Sequence, residues 1–251
     1  MELTFLIGLG LLMTRVGAVV LAAPVFGGTY APQITKIGLA LLLAFALLPV
    51  VPVPSGLTLG GLGGVVAREV LIGLAIALAV RILMGAAELG GHVAGFQLGL
   101  GYAATIDPTS GVRSNTVATL YSNLTLLTFF GLNGHHLVLK ALVASYDRLP
   151  VGSGSFAPSI VQSVTGILGT VFVVGAQLAA PVVVVMLLVE LSLGLVERAA
   201  AGADVFMFAP PTRVLVGMVA LSAAVAAVPE AAQRFLTRAF ELSMSLALGL
   251  R

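Results

Sequence analysis

The chain has 251 residues, 59% of them hydrophobic and 9% charged, whereas a soluble domain usually has about a quarter of its residues charged. Twelve Lys and Arg stand against ten Asp and Glu, and no cluster of four or more basic residues occurs, which argues against nucleic acid as a partner. Cysteine is absent, so disulfides, thiolate metal sites and thiol nucleophiles are excluded.

The composition is that of a membrane protein. At the N-terminus, Glu2 precedes the first apolar run and Arg15 interrupts it, which is not the pattern of a cleaved signal peptide; a retained helix is expected. Runs able to cross a hydrocarbon layer, about 20 residues each, fall at 3–23, 34–49, 65–84 and 117–144, and a longer one at 160–196. Pro181 interrupts the longer run and removes a backbone hydrogen bond, so a kink or two consecutive helices are expected there. A sixth run covers 214–228. The tail from Pro229 to Arg251 has helix-like spacing with one polar stripe (Glu230, Arg234, Arg238, Glu241) and is expected at an interface.

Backbone groups in lipid must be satisfied internally, and these Leu- and Ala-rich runs exceed barrel-strand length. The expected fold class is all-α, integral-membrane in type, with about six long apolar helices and a broken central loop. Breakers separate the runs: Pro24 with Gly27 and Gly28, then Pro49 to Gly64, then a Gly/Ser/Pro linker from Pro150 to Pro158 that precedes the last helical portion. Lys36, Arg81, Arg113, Arg198 and Arg213 favour one membrane side while Lys140 and Arg148 fall on the other, so the positive-inside rule fixes no topology. A helix apolar all round also fits the core of a large assembly.

Several polar residues in these runs are candidates for chemistry. Gly99, Gly101 and Ala104 match a dinucleotide fingerprint formally, but the required strand and helix context is missing. Gly91, Gly95 and Gly99 recur every four residues and would line one helix ridge, permitting close approach by a neighbour. Arg81, Glu88 and His92 project from one face of the same helix if it is continuous. Such a stripe reads as a proton relay or, by preference, as a hydrogen-bond network between subunits. Adjacent His135 and His136, in the run Asn133-Gly134-His135-His136, diverge by about 100° on a helix and do not suit one metal ion. Glu190 lies deep in VVVVMLLVELSLGLVER and needs a partner, for which Arg15 or Arg81 is available. No catalytic constellation, cofactor cradle or metal-ligand spacing emerges.

The central segment GLGYAATIDPTSGVR, Gly99 to Arg113, is the polar exception. Asp107-Pro108-Thr109-Ser110-Gly111 is strong turn chemistry. A loop of this kind persists at membrane depth only when surrounded by protein or water, so it suggests a conduit.

Three blocks carry a resemblance: AELGGHVAGFQLGLGYAATIDPTSG, FFGLNGHHLVLKALVASYDRLPVG and AAPVVVVMLLVELSLGLVERAAAGADVF. They resemble the FliR family of flagellar biosynthetic proteins, and RVGAVVLAAPVFGGTYAPQITKIGLALLLAFALLP looks like that family's opening. Departures follow Arg198, where Ala201 and Asp204 replace a usual proline and asparagine, and Glu190 replaces a usually uncharged polar residue.

The resemblance implies a non-enzymatic subunit of the type III export gate, at the bacterial inner membrane in the flagellar basal body. Its implied partners are FliP-like and FliQ-like subunits, other export-apparatus components and unfolded export cargo. It also implies a FliP-like part at 1–155 and a FliQ-like helical hairpin part at 156–251. A plug-like gate loop would be formed by Ile106, Asp107, Pro108, Thr109, Ser110, Gly111, Val112, Arg113, Ser114 and Asn115, hinged near Gly99 and Gly101. Arg81, Glu88, Gly91, His92, Gly95, Asn133, His135, Pro181, Glu190 and Arg198 would be buried polar or packing positions. The alternatives are the homologous injectisome subunit, a stand-alone secondary transporter and an intramembrane enzyme.

Overall fold

The computed structural model describes residues 2–27, 31–53, 59–100, 115–152, 160–199 and 205–248. Among these residues every regular element is a helix: α1 (Glu2–Ala22), α2 (Pro24–Gly27), α3 (Gln33–Leu47), α4 (Leu59–Gln97), α5 (Thr116–Gly131), α6 (Gly134–Arg148), α7 (Ile160–Ala199) and α8 (Val205–Leu248). Four stretches are long and apolar enough to cross a membrane: Phe5–Ala22, Gly61–Gln97, Gly169–Ala199 and Ala209–Leu236. The bent pair α5 and α6 makes a fifth if counted as one span.

Two expected boundaries are corrected and one is decided. The run 117–144 is two helices, because Asn133 adopts the left-handed conformation with φ 56°, which asparagine tolerates better than most residues, and α6 restarts at Gly134. α7 runs through Pro181 as one 40-residue helix, so of the two outcomes open there, a kink or two consecutive helices, the second does not form. The sixth run extends in both directions into the 44-residue α8, with Pro210, Pro211 and Pro229 inside it; the tail continues that helix rather than forming a separate one. Proline removes one donor but leaves the ladder on either side intact, and long apolar flanks keep the helical path.

The chain forms two compact units interleaved along the sequence. The first comprises 1–82, 129–168 and 236–251. Its core is built by Leu12, Val16 and Val19 of α1, Ala40 and Ala44 of α3, Ile72 and Ile76 of α4, and Val138 and Leu142 of α6. α1 packs on α3. α1 also lies hard against α4 at Gly73, where an added Cβ would meet the Arg15 carbonyl oxygen at 2.5 Å and the Ala18 Cβ at 2.7 Å. In lipid, such close van der Waals approach replaces the hydrophobic effect as the packing force.

The second unit comprises 83–128 and 169–235. Ala86, Ala87, Ala94 and Leu98 of α4 meet Val117 and Tyr121 of α5, Val174, Leu178, Val182 and Met186 of α7, and Ala224 and Val228 of α8. Gly90 of α4 and Gly175 of α7 face each other's helices: a Cβ on Gly90 would lie 2.9 Å from the Gly175 carbonyl oxygen, and one on Gly175 3.1 Å from that of Ala86. Small residues on both partners let the two backbones touch.

Large apolar side chains remain exposed on this chain along α3 (Ile34, Leu42, Phe45), α7 (Phe172, Leu188, Leu191, Leu195) and α8 (Met207, Leu215, Val219). So much apolar surface requires lipid or other protein around it.

Candidate functional site

Among the described residues, two places concentrate polar groups. One is the pair of helix ends that flank the central polar segment, in the second unit. The other is a buried cluster in the first.

The C-terminus of α4 closes with a Schellman motif. Gly99 takes φ 78°, its amide donates to the Phe96 carbonyl at 3.0 Å, and the Leu100 amide donates to the Gly95 carbonyl at 3.1 Å. The two bonds satisfy carbonyls that a helix end leaves open, and glycine meets the positive φ without strain. Gly99 therefore ends the helix and does not extend the Gly91–Gly95 ridge, which corrects that part of the sequence expectation.

Asn115 immediately precedes α5. The Asn115 Oδ1 accepts from the Val117 amide at 3.0 Å, capping the helix, and its Nδ2 donates to the His92 carbonyl at 3.2 Å. Gly91 and Gly95 make room for this: a Cβ on Gly91 would strike the backbone of Ala118, and one on Gly95 the Asn115 side chain. The small ridge expected from sequence thus seats the first turn of α5 against α4. Both ends of the segment 101–114 are held on the last turns of one helix. Gly101 and the positions from Ile106 through Ser114 lie outside the described residues, so of the expected plug residues only Gly99 and Asn115 are placed.

The remaining candidates are dispersed. Glu88 Oε1 and His92 Nε2 lie 3.7 Å apart with both side chains about half exposed. Arg81 is exposed and its Nε donates to the Ala22 carbonyl at the end of α1, 2.7 Å away. Asn133, Pro181 and Arg198 are exposed on this chain, and His135 is half-buried. The His135 and His136 rings sit 4.2 Å apart, and Phe130 lies 5.5 Å from His135. The Glu190 partner is on α8: Glu190 Oε1 lies 3.7 Å from Arg213 Nη2. That corrects the expected pairing; α8 supplies the cation that spacing alone did not identify.

Arg15 is instead the centre of the buried cluster. Arg15 and Glu69 side chains are both 0% exposed, with Nε donating to Glu69 Oε2 at 2.7 Å and Nη2 to Oε1 at 3.1 Å. Nη1 donates to Ser145 Oγ at 3.0 Å and Nη2 also to the Leu149 carbonyl at 2.9 Å. Glu69 Oε1 accepts from the Gly152 amide at 3.2 Å, Ser145 Oγ donates to the Leu142 carbonyl at 2.6 Å, and the Tyr146 ring lies 4.1 Å from the guanidinium carbon. A planar fork meets a carboxylate in two parallel bonds, the geometry that best offsets desolvation of a buried pair. The network ties α1, α4, α6 and the turn after α6 into one unit. Glu69 was not a candidate from sequence; its only local signal is an acid four residues before Gly73 on the α4 face that meets α1.

The sequence profile of "Bacterial export proteins, family 1" matches residues 6–239. The chain is 37% identical to the flagellar biosynthetic protein FliR of Caulobacter vibrioides over 217 residues, 83% of this chain and 84% of that one. It is 29% identical to FliR of Escherichia coli over 216 residues, covering 84% and 81%, and 29% identical to FliR of Bacillus subtilis over 219 residues, covering 84% and 83%.

Proposed function

The chain belongs to family 1 of the bacterial export proteins and is a component of the flagellar export apparatus, and from that premise we propose that it forms part of the wall of the export channel, with residues 106–115 as its plug. FliP-like and FliQ-like subunits surround it, with the 1–155 part resembling the former and the 156–251 part the latter. The complex lies at the inner membrane in the basal body and passes unfolded flagellar proteins.

The observation that supports this reading best is the double anchorage of the central segment. The Schellman cap at Gly99 and the Asn115 cap on His92 fix its two ends on α4, while the segment between carries Asp107-Pro108-Thr109-Ser110-Gly111, residues that favour turns and bury little apolar area. A plug needs this division: rigid roots that keep its position, and few apolar anchors to hold it when cargo passes. The exposed apolar faces of α3, α7 and α8 suit a subunit enclosed by other helices and lipid.

The test is deletion of residues 107–114 with both caps retained. The expected result is an assembled complex that leaks ions across the membrane. Unchanged ion leakage and unchanged secretion in an assembled complex would refute the plug.

A further inference from the structure

α4 and α5 run antiparallel along a seam where Gly91 meets Ala118 and Gly95 meets Asn115. One side of that seam is the apolar core of the second unit, to which Ala87 and Ala94 of α4 and Val117 and Tyr121 of α5 contribute. The other side is polar. Glu88 and His92 stand three residues before the two seam glycines, Ser122 and Thr119 four residues after Ala118 and Asn115, and Asn123 one turn beyond Thr119. Glu88, His92, Thr119 and Asn123 are exposed, and Ser122 is half-buried. Side chains three and four apart share a helix face, so the two rows form one polar strip along the pair.

Glu88 and His92 lie within the apolar stretch Gly61–Gln97, where ionisable groups face protein or water and not hydrocarbon. Glu88 Oε1 and His92 Nε2 are 3.7 Å apart with both heads about half exposed, beyond hydrogen-bond reach, so the pair does not satisfy itself. A neighbouring helix would have to match a carboxylate, an imidazole, hydroxyls and an amide one by one, whereas water meets each of them wherever it stands. The strip also leads to the roots of the central segment, since the His92 carbonyl is the one that accepts from Asn115 Nδ2. On α7 and α8 of the same unit the exposed side chains Leu188, Leu191, Leu215 and Val219 are apolar and suit lipid or other subunits. We propose that the polar side of the α4–α5 pair is the water-facing side of the channel wall, along which the extended chain in transit slides. Hydroxyl and amide groups both donate and accept, so the strip exchanges hydrogen bonds with any polypeptide backbone regardless of sequence. The inference rests on the channel-wall reading and names the face that carries it.

The chain has no cysteine, so Glu88→Cys, Thr119→Cys and Asn123→Cys each give it a single thiol. The experiment measures the rate at which a permanently charged trimethylammonium methanethiosulfonate modifies each thiol in membranes that hold the assembled complex, with reagent on both sides. Leu188→Cys on α7 and Leu215→Cys on α8, exposed on this chain but apolar in surroundings, serve as the comparison. The strip positions react about 100-fold faster than these two, the factor by which hydrocarbon excludes a charged group. An export substrate stalled by fusion to a domain that does not unfold protects Thr119→Cys and Asn123→Cys from the reagent. Equal rates at strip and apolar positions, or strip rates unchanged by the stalled substrate, would overturn the proposal. So would a strip that stays unmodified, or that cross-links to a neighbouring subunit, while deletion of 107–114 makes the same membranes leak; the channel-wall reading would then stand and the assignment of its face would fall.

Discussion

Replacing Arg15 with methionine removes a cation that donates four hydrogen bonds inside the first unit, two to Glu69, one to Ser145 and one to the Leu149 carbonyl. Methionine fills comparable length but leaves the Glu69 carboxylate, 0% exposed, with the Gly152 amide as its donor among the described residues. Removing one partner of a buried pair costs about 3–5 kcal/mol, because the other charge stays desolvated and uncompensated. The Leu149 carbonyl also loses its donor, which puts Arg15→Met at the upper end of that range. Glu69→Leu strips the charge facing the guanidinium and leaves that cation buried without its carboxylate, and is expected at about 3–5 kcal/mol. The double substitution Arg15→Met with Glu69→Leu removes both charges and is expected to cost less than either single change, about 1–2 kcal/mol. Denaturant or thermal unfolding of the four chains in one detergent gives the cycle. A single substitution costing under about 1 kcal/mol, or a cycle additive within about 0.5 kcal/mol, would refute the view that the pair is a coupled, desolvated staple.

Other predictions follow from the helix ends and the lone charges. Asn115→Ala loses both the cap and the bond to the His92 carbonyl, costing about 1–2 kcal/mol, with faster amide exchange in the first turn of α5; unchanged exchange would contradict the cap. Gly91→Leu forces α5 off α4 and is expected to cost about 1–3 kcal/mol through overpacking. Gly85→Ala meets open space and is expected to stabilise α4 by about 0.5–1 kcal/mol; a melting series that ranked these two glycines equally would refute the packing assignment. Glu190→Gln is expected to change stability by less than about 1 kcal/mol, because Glu190 and Arg213 are 38% and 41% exposed and 3.7 Å apart; a multi-kilocalorie loss in the isolated chain would show the pair to be desolvated.

Much of the fold was legible because lipid-compatible helices carry an unmistakable apolar signal. The runs starting near residues 3, 34 and 160 coincide with α1, α3 and α7. Where reading failed or stayed open, the cause is local. At Pro181 the sequence left a kink and two consecutive helices both open, and the choice between them is made by the flanks, because one missing donor within a 40-residue apolar helix does not end it. Leu132 and Asn133 carry no proline, so the break between α5 and α6 hides in a single left-handed asparagine. The glycine ridge was readable at Gly91 and Gly95, but a period of four cannot tell a third ridge position from a C-terminal cap, which is what Gly99 became.

The buried cluster was least legible. Arg15 was visible as a charge in an apolar run, whereas its partner lies 54 residues away, beside Arg68 in VVAREVL, where an adjacent cation makes Glu69 look like half of a surface pair. Pairing of this kind is set by helix packing at Gly73, and no periodicity encodes it. The same reason hid Arg213 as the neighbour of Glu190.

The central claim, that this chain is one subunit of a multi-subunit export channel, is tested most directly by native mass spectrometry of the complex captured through a tag on this chain after mild detergent extraction. The account predicts one copy of this chain with several copies of two other helical membrane proteins. A monomer or homodimer, reproduced under still milder extraction, would contradict it.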